Sequence, residues 1–144
     1  MKLWSPVFTE NGKISPEYTC DGKDISPPLK VENIPEKTRS LALIVDDPDA
    51  PGGTWVHWVV WNIPPSTAEM PSGSVPKGAM QGLNSFKTTK YGGPCPPSGS
   101  HRYYFKMYAL DTDLSLPGRT TKADLERAMS GHVLAEAQTM GRYR

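Results

Sequence analysis

Hydrophobic positions in this chain gather in short blocks separated by polar or turn-forming residues. Residues 41–45 (LALIV) are an apolar run with β-branched members and end at a turn signal, so they read as a buried strand. Residues 55–61 (WVHWVVW) read as the next strand. Side chains alternate along a strand, which predicts Trp55, His57, Val59 and Trp61 on one face and Val56, Trp58 and Val60 on the other. Both faces are apolar, as expected of a central strand covered on both sides. Between the two runs lies an acidic turn, Asp46-Asp47-Pro48-Asp49-Ala50-Pro51-Gly52-Gly53. Its prolines fix φ, and its glycines admit conformations closed to other residues.

The flanking segments follow the same pattern. Residues 29–34 predict a strand, Asn11-Gly12 marks a turn or hairpin within residues 7–14, and residues 16–28 read mostly as loop with a turn at Asp21-Gly22. Residues 101–110 (HRYYFKMYAL) predict an aromatic-rich strand with His101, Tyr103, Phe105 and Met107 on one face. From residue 66 to about 100, proline and glycine break all periodicity, and a connection of that length in a compact domain is more often functional than idle. The period then changes. Leu125, Met129, Val133 and Ala137 recur every four residues, which predicts a helical tail from Thr120 onward. Thr121 and Asp124 form a variant capping box, Gly131 is a candidate break and Gly141 a candidate stop. Many short strands and then a helical tail describe one domain over residues 1–144, a β-sandwich with helix on one side.

Composition narrows the function classes. The net charge is +1 with both signs interspersed, which gives no electrostatic footprint for nucleic acid or a membrane surface. Fifteen Pro and thirteen Gly accompany four Trp and six Tyr, so they punctuate strands rather than signal disorder. No apolar run approaches the ~18 residues of a membrane span, and the first residues lack a signal-peptide core, so the cytoplasm is the expected location. Cys20 and Cys95 are too few and too far apart for a disulfide framework or a zinc knuckle. In cytosol they are expected to be reduced, with a bridge left open as an alternative.

The candidate chemistry centres on His57 and His101, which sit on different strands among aromatic residues. Either alone is most simply a hydrogen-bonded core histidine. Together with the aspartate turn and Tyr103 they offer donors and acceptors of adjustable charge, which suits a small anion such as phosphate. The run Gly92-Gly93-Pro94-Cys95-Pro96-Pro97-Ser98-Gly99 reads either as a stiff connector or as a rigid loop whose glycine N–H groups cradle an anion. Asp47, His57 and His101 could form a two-histidine, one-carboxylate metal set, but no close-spaced ligand pair supports it, and no cofactor is expected. Cys95 and Ser98 lie near His101, yet a proline-locked loop makes a poor nucleophile elbow and no G-x-S-x-G occurs, so an enzyme is the weaker reading.

The blocks YTCDGKDISPPL (residues 18–29), SLALIVDDPDAPGGTWVHWVVWNIP (40–64), YGGPCPPSGSHRYYFKMYALD (91–111) and SGHVLAEAQTMGRY (130–143) together resemble the phosphatidylethanolamine-binding protein family, in its small prokaryotic Raf kinase inhibitor-like branch. The ordered combination of D-P-D-A-P, W-x-H-W and G-P-C-P-P-x-G-x-H-R-Y carries the resemblance. It implies a mainly β fold, a two-sheet antiparallel Greek-key β-sandwich with short C-terminal helices. It implies a pocket for phosphate or phospholipid head groups, with Asp47 and His57 from the first motif and Asp49 and Pro51 shaping the turn. Gly93, Pro94, His101 and Tyr103 come from the second motif, and Trp55 walls the pocket. It also carries the expectations of a homodimer and of a protein partner, a kinase or serine protease that the protein would inhibit. Ser85 and Val31 depart from the family's usual residues, an acid and a Trp.

Overall fold

The computed structural model describes all 144 residues. Eight strands and one α-helix follow in order: β1 (Lys2–Trp4), β2 (Leu29–Glu32), β3 (Ser40–Asp47), β4 (Trp55–Ile63), β5 (Glu69–Met70), β6 (Met80–Gln81), β7 (His101–Leu110), α1 (Lys122–Met129) and β8 (Val133–Tyr143). They form two antiparallel sheets. The smaller has the order β1-β2-β5 and the larger β6-β4-β3-β7-β8. Within the larger, β7-β3-β4-β6 is the Greek-key order, with β7 returning by a long connection to lie beside β3.

The hydrophobic pattern explains the layers. Leu3, Leu29 and Val31 of the small sheet meet Leu41, Leu43, Val45, Trp58, Val60, Tyr103, Phe105 and Met107 of the large one in the main core. Val31 is fully absorbed in that packing. On the outer face Ala42, Ile44, Val59 and Trp61 receive Leu125 and Met129 of α1. β3 and β4 are thus buried on both faces, which is why their sequences are near-continuous apolar runs.

Alternation along β4 is broken by a bulge. Val45 pairs with Trp58 and Asp46 with Val56, so His57 has no partner in the ladder. An extra residue re-aims its neighbours. Val56, Val59 and Trp61 belong to the outer face, whereas His57 packs on Tyr103 and points to the side of the main core. The expectation that His57 shares a face with Val59 and Trp61 is therefore corrected.

The tail is also corrected. Helix α1 spans Lys122–Met129 only, with the Thr121 hydroxyl accepting from the Asp124 N–H. Gly131 at φ 82° turns the chain, and β8 then pairs along the whole of β7. Val133 and Ala137, which fit the helical period, lie on a strand. Ten cross-strand partners outweigh a short sequence periodicity. Gly141 is no helix stop. It sits in β8 where a Cβ would run into the Ile14 side chain.

Cys20 and Cys95 are joined in a disulfide, so the expectation of two reduced thiols is corrected. Their separation of 75 residues in sequence is no obstacle, because the fold lays the 18–24 loop against the 91–95 loop. Cys20 N–H donates to the Pro94 carbonyl, the Tyr91 hydroxyl to the Tyr18 carbonyl and Gly93 N–H to Asp24 Oδ1. No helix of the protein is long and apolar enough to cross a membrane.

Candidate functional site

The C-terminal end of β3, the start of β4, the start of β7 and the long 82–100 connection converge on a cavity of about 220 Å³. That is smaller than the ~300–1,000 Å³ typical of drug-sized ligand sites. Its polar wall is Asp47, His57, His101 and Tyr103, and its apolar wall is mainly Trp55, Phe86, Pro51 and Pro96.

Each histidine is fixed through Nδ1. In His101 this atom lies 2.6 Å from Asp47 Oδ2, both side chains being buried. Asp47 is itself held, because its Oδ1 accepts from the Asp49 N–H at 2.7 Å. In His57 the Nδ1–H donates to the Gly92 carbonyl at 2.6 Å. A carbonyl can only accept, so that tautomer is dictated by the geometry. Both rings are left to present Nε2 to the cavity. The His57 ring lies edge-on to Phe86 and Tyr103, at 5.4 and 5.2 Å between centroids. Burial pushes its pKa below the usual value, against the opposing pull of the Gly92 carbonyl and of Asp47 and Asp46. The Tyr103 hydroxyl is buried without a protein partner, and burial raises its pKa above 10. Tyr103 lines the cavity as a residue, while its hydroxyl itself has almost no surface exposed to it.

Asp49 and Pro51 bracket the turn. The Asp49 carboxylate accepts from Arg102 Nε, Nη2 and N–H, at 2.9, 2.8 and 2.9 Å. This two-pronged clamp pulls its pKa down to about 2, the side-chain bonds from Arg102 being the main cause. Asp49 thus tethers the turn to β7, and Pro51 and Trp55 line the cavity.

The anion cradle proposed for the two glycines is corrected. Gly92 N–H donates to the His57 carbonyl and Gly93 N–H to Asp24 Oδ1, so neither is free for an anion. Gly93 and Pro94 stand behind the wall rather than on it, and the residues that reach the cavity from this loop are Cys95, Pro96 and Pro97. Gly93 is required for close approach, since a Cβ there would meet the Tyr18 carbonyl oxygen and Asp24.

Residues 4–144 match the family described as phosphatidylethanolamine-binding protein. The chain belongs to this family. A relative from Methanothermobacter thermautotrophicus, named only as a UPF0098 protein, is 50% identical over all of this chain and 99% of its own length. A phosphatidylethanolamine-binding protein homologue from Chlamydia trachomatis has a solved structure with a TM-score of 0.96 at 42% identity, covering 99% of this chain and 96% of that one. The E. coli protein YbcL, described as a member of the mammalian phosphatidylethanolamine-binding protein family, has a TM-score of 0.93 at 31% identity, covering 99% and 97%.

Three residues of this family member that shape the site, Asn84, Phe86 and Arg102, were not among those the sequence singled out. Asn84 is buried and knits its loop together: its Nδ2 donates to the Lys90 carbonyl and Thr88 Oγ1, and its Oδ1 accepts from the Phe86 and Thr88 N–H groups. This is what presents Phe86 to the cavity. Asn-Ser-Phe inside an aperiodic stretch gave no pattern to read, although an Asx-type side chain two residues before an aromatic was a usable turn signal. Ser85 accepts from the Val56 N–H at 2.8 Å and so serves the β4 edge beside the bulge. Arg102, the clamp on Asp49, was hidden because its partner lies 53 residues away.

Proposed function

We propose that this family member is a non-catalytic binding protein whose cavity takes a small phosphate-like anion, free or as a phospholipid head group. The observation that carries the reading is that two histidine rings, each held through Nδ1, line one small cavity together with Asp47 and Tyr103. His101, its Nδ1 held by Asp47, leaves Nε2 without a protein partner as the hydrogen-bonding atom for an anion. Against catalysis, Cys95, the sulfur on the wall, is tied up in the bridge, and Ser98 is exposed and outside the lining. Isothermal calorimetry with inorganic phosphate tests the reading: the wild type binds and His101→Ala does not. Equal affinity in the two proteins would sink it.

The interaction reading, inhibition of a kinase or serine protease, has one structural feature in its favour. Trp55 and Phe86 stand edge-to-face at the cavity mouth, each 39% exposed. A protease and kinase panel showing no inhibition that Trp55→Ala weakens counts against it. The homodimer belongs to the same proposal and is checked by sedimentation velocity.

A further inference from the structure

Away from the cavity, strand β8 forms one edge of the large sheet, and that edge is only half covered. Its C-terminal half is capped by the chain itself. Asn11 N–H donates to the Met140 carbonyl, Arg142 N–H to the Gly12 carbonyl and Ile14 N–H to the Arg142 carbonyl, so residues 11–14 lie along the edge as an added segment. Glu10 ends this cover, its carboxylate accepting from the Met140 N–H and the Thr139 hydroxyl. Backbone groups point to alternate sides along an antiparallel strand. Met140 and Arg142 face away from β7, so Glu136 and Gln138 do as well, and no segment of the chain pairs with them. Their N–H and C=O groups are a ready template for another strand.

Two grooves of different chemistry flank this open edge. On the side of the main core a space of about 560 Å³ has Trp4, Phe8 and Ala137 in its lining. On the outer face a space of about 240 Å³ is lined by Lys106, Tyr108, Glu136, Ala137 and Gln138. Lys106 is committed to Asp46, whereas the Glu136 carboxylate has neither an ion pair nor a hydrogen bond. Val133 and Leu134, 42% and 40% exposed, extend the apolar surface at the start of the strand. We propose that the Glu136–Gln138 edge docks an extended segment of a partner protein in which apolar residues alternate with Lys or Arg. Side chains of an added strand alternate between faces, so its apolar ones enter the groove of Trp4 and Phe8 and its cations meet Glu136. This surface is separate from the cavity, and the anion-binding reading does not depend on it. A second copy of this chain fits the edge poorly. The irregularity between Ala109 and Leu110 ends the regular ladder before Leu134, so a two-fold antiparallel pairing has to use Glu136 and Gln138. Glu136 against Glu136 of the copy sets two carboxylates opposite each other. Glu136 against Gln138 of the copy brings the copy's residue 134 to Met140, whose carbonyl Asn11 already occupies.

The probe is a capped, fluorescein-labelled peptide of alternating Val and Lys, titrated with the full chain and followed by fluorescence anisotropy and by ¹H–¹⁵N shift mapping. Saturable binding is expected, with the Glu136 and Gln138 amides among the most shifted. Gln138→Pro deletes one outward N–H, a change tolerated at an edge position that does not donate to the neighbouring strand, and should weaken binding about tenfold, the order of one lost backbone bond. Glu136→Lys leaves the backbone intact and decides the matter if the proline variant melts early. It should weaken the Val-Lys peptide by a similar factor and favour a Val-Glu peptide instead. Absence of saturable binding, shifts centred on Trp55 and Phe86 at the cavity mouth, or unchanged affinity in both variants overturns the proposal. Concentration-dependent self-association in sedimentation velocity that Gln138→Pro abolishes, with no peptide bound, also overturns it and assigns the edge to a second copy.

Discussion

Asp47 Oδ2 lies 2.6 Å from His101 Nδ1, and the two side chains come from adjacent strands β3 and β7 with almost no exposure to water. Asp47→Asn keeps an oxygen that can accept from Nδ1 but removes the carboxylate charge that holds the ring. The expected result at pH 7 is a ~10–100-fold loss of phosphate affinity, about 1.4–2.8 kcal/mol, with the fold retained. Calorimetry alongside a thermal melt checks it, and unchanged affinity would show that the Asp47 carboxylate contributes nothing to anion binding through His101.

The bridge is the next test. The chain-entropy account gives a disulfide closing a loop of this length a stabilisation of about 4 kcal/mol. Cys20→Ser, or reduction with dithiothreitol, should therefore lower Tm by roughly 10 °C. Because Cys95, Pro96 and Pro97 form one wall of the cavity, phosphate affinity should weaken as well. Melts and calorimetry with and without reductant measure the two effects separately. A melting point insensitive to reductant would mean that the 18–24 and 91–95 loops hold together without the bridge.

His57 makes a prediction about pH. Burial dominates the shift and lowers its pKa below 6.5 in the folded state. As pH falls through ~6.5 the unfolded chain takes up a proton at this position before the folded protein does. The stability associated with His57 is thus complete above that pH and is lost as pH drops toward the folded value. His57→Gln removes the titration, so the gap in urea midpoint between wild type and variant should narrow from pH 7.5 to pH 5. A gap constant over that range would show that the ring titrates alike in both states.

The strands that build the main core were legible because their residues obey one rule at a time. β3 and β7 show a buried run and clean alternation, and both appear where the pattern puts them. What could not be read depends on partners distant in sequence. The bulge that turns His57 toward Tyr103 exists only in the pairing of β4 with β3. Strand β8 imitates a helical period because small and apolar residues happen to fall four apart, and only its pairing with β7 decides the matter. In the site, Asp47, His57, His101, Tyr103, Trp55 and Pro51 do line one cavity. Gly93 and Pro94 do not, since a glycine in sequence cannot reveal whether its N–H is already taken.

Gly93 provides the sharpest test of that last distinction. If its role is close packing, adding a methyl group should damage stability first and binding only as a consequence. A Cβ at this position meets the Tyr18 carbonyl oxygen, Asp24 Oδ1 and the Thr19 backbone, so Gly93→Ala should cost about 1–3 kcal/mol, the usual range for overpacking. Asp24→Ala removes the acceptor of the Gly93 N–H and relieves part of the same crowding, so the double variant should be more stable than the sum of the two single losses. Chemical denaturation of the four proteins supplies the cycle. Strict additivity would place the strain on the Tyr18 and Thr19 backbone alone. A Gly93→Ala protein of normal stability that has lost phosphate affinity would instead return the glycine to the ligand, against the hydrogen bond that Asp24 makes to it.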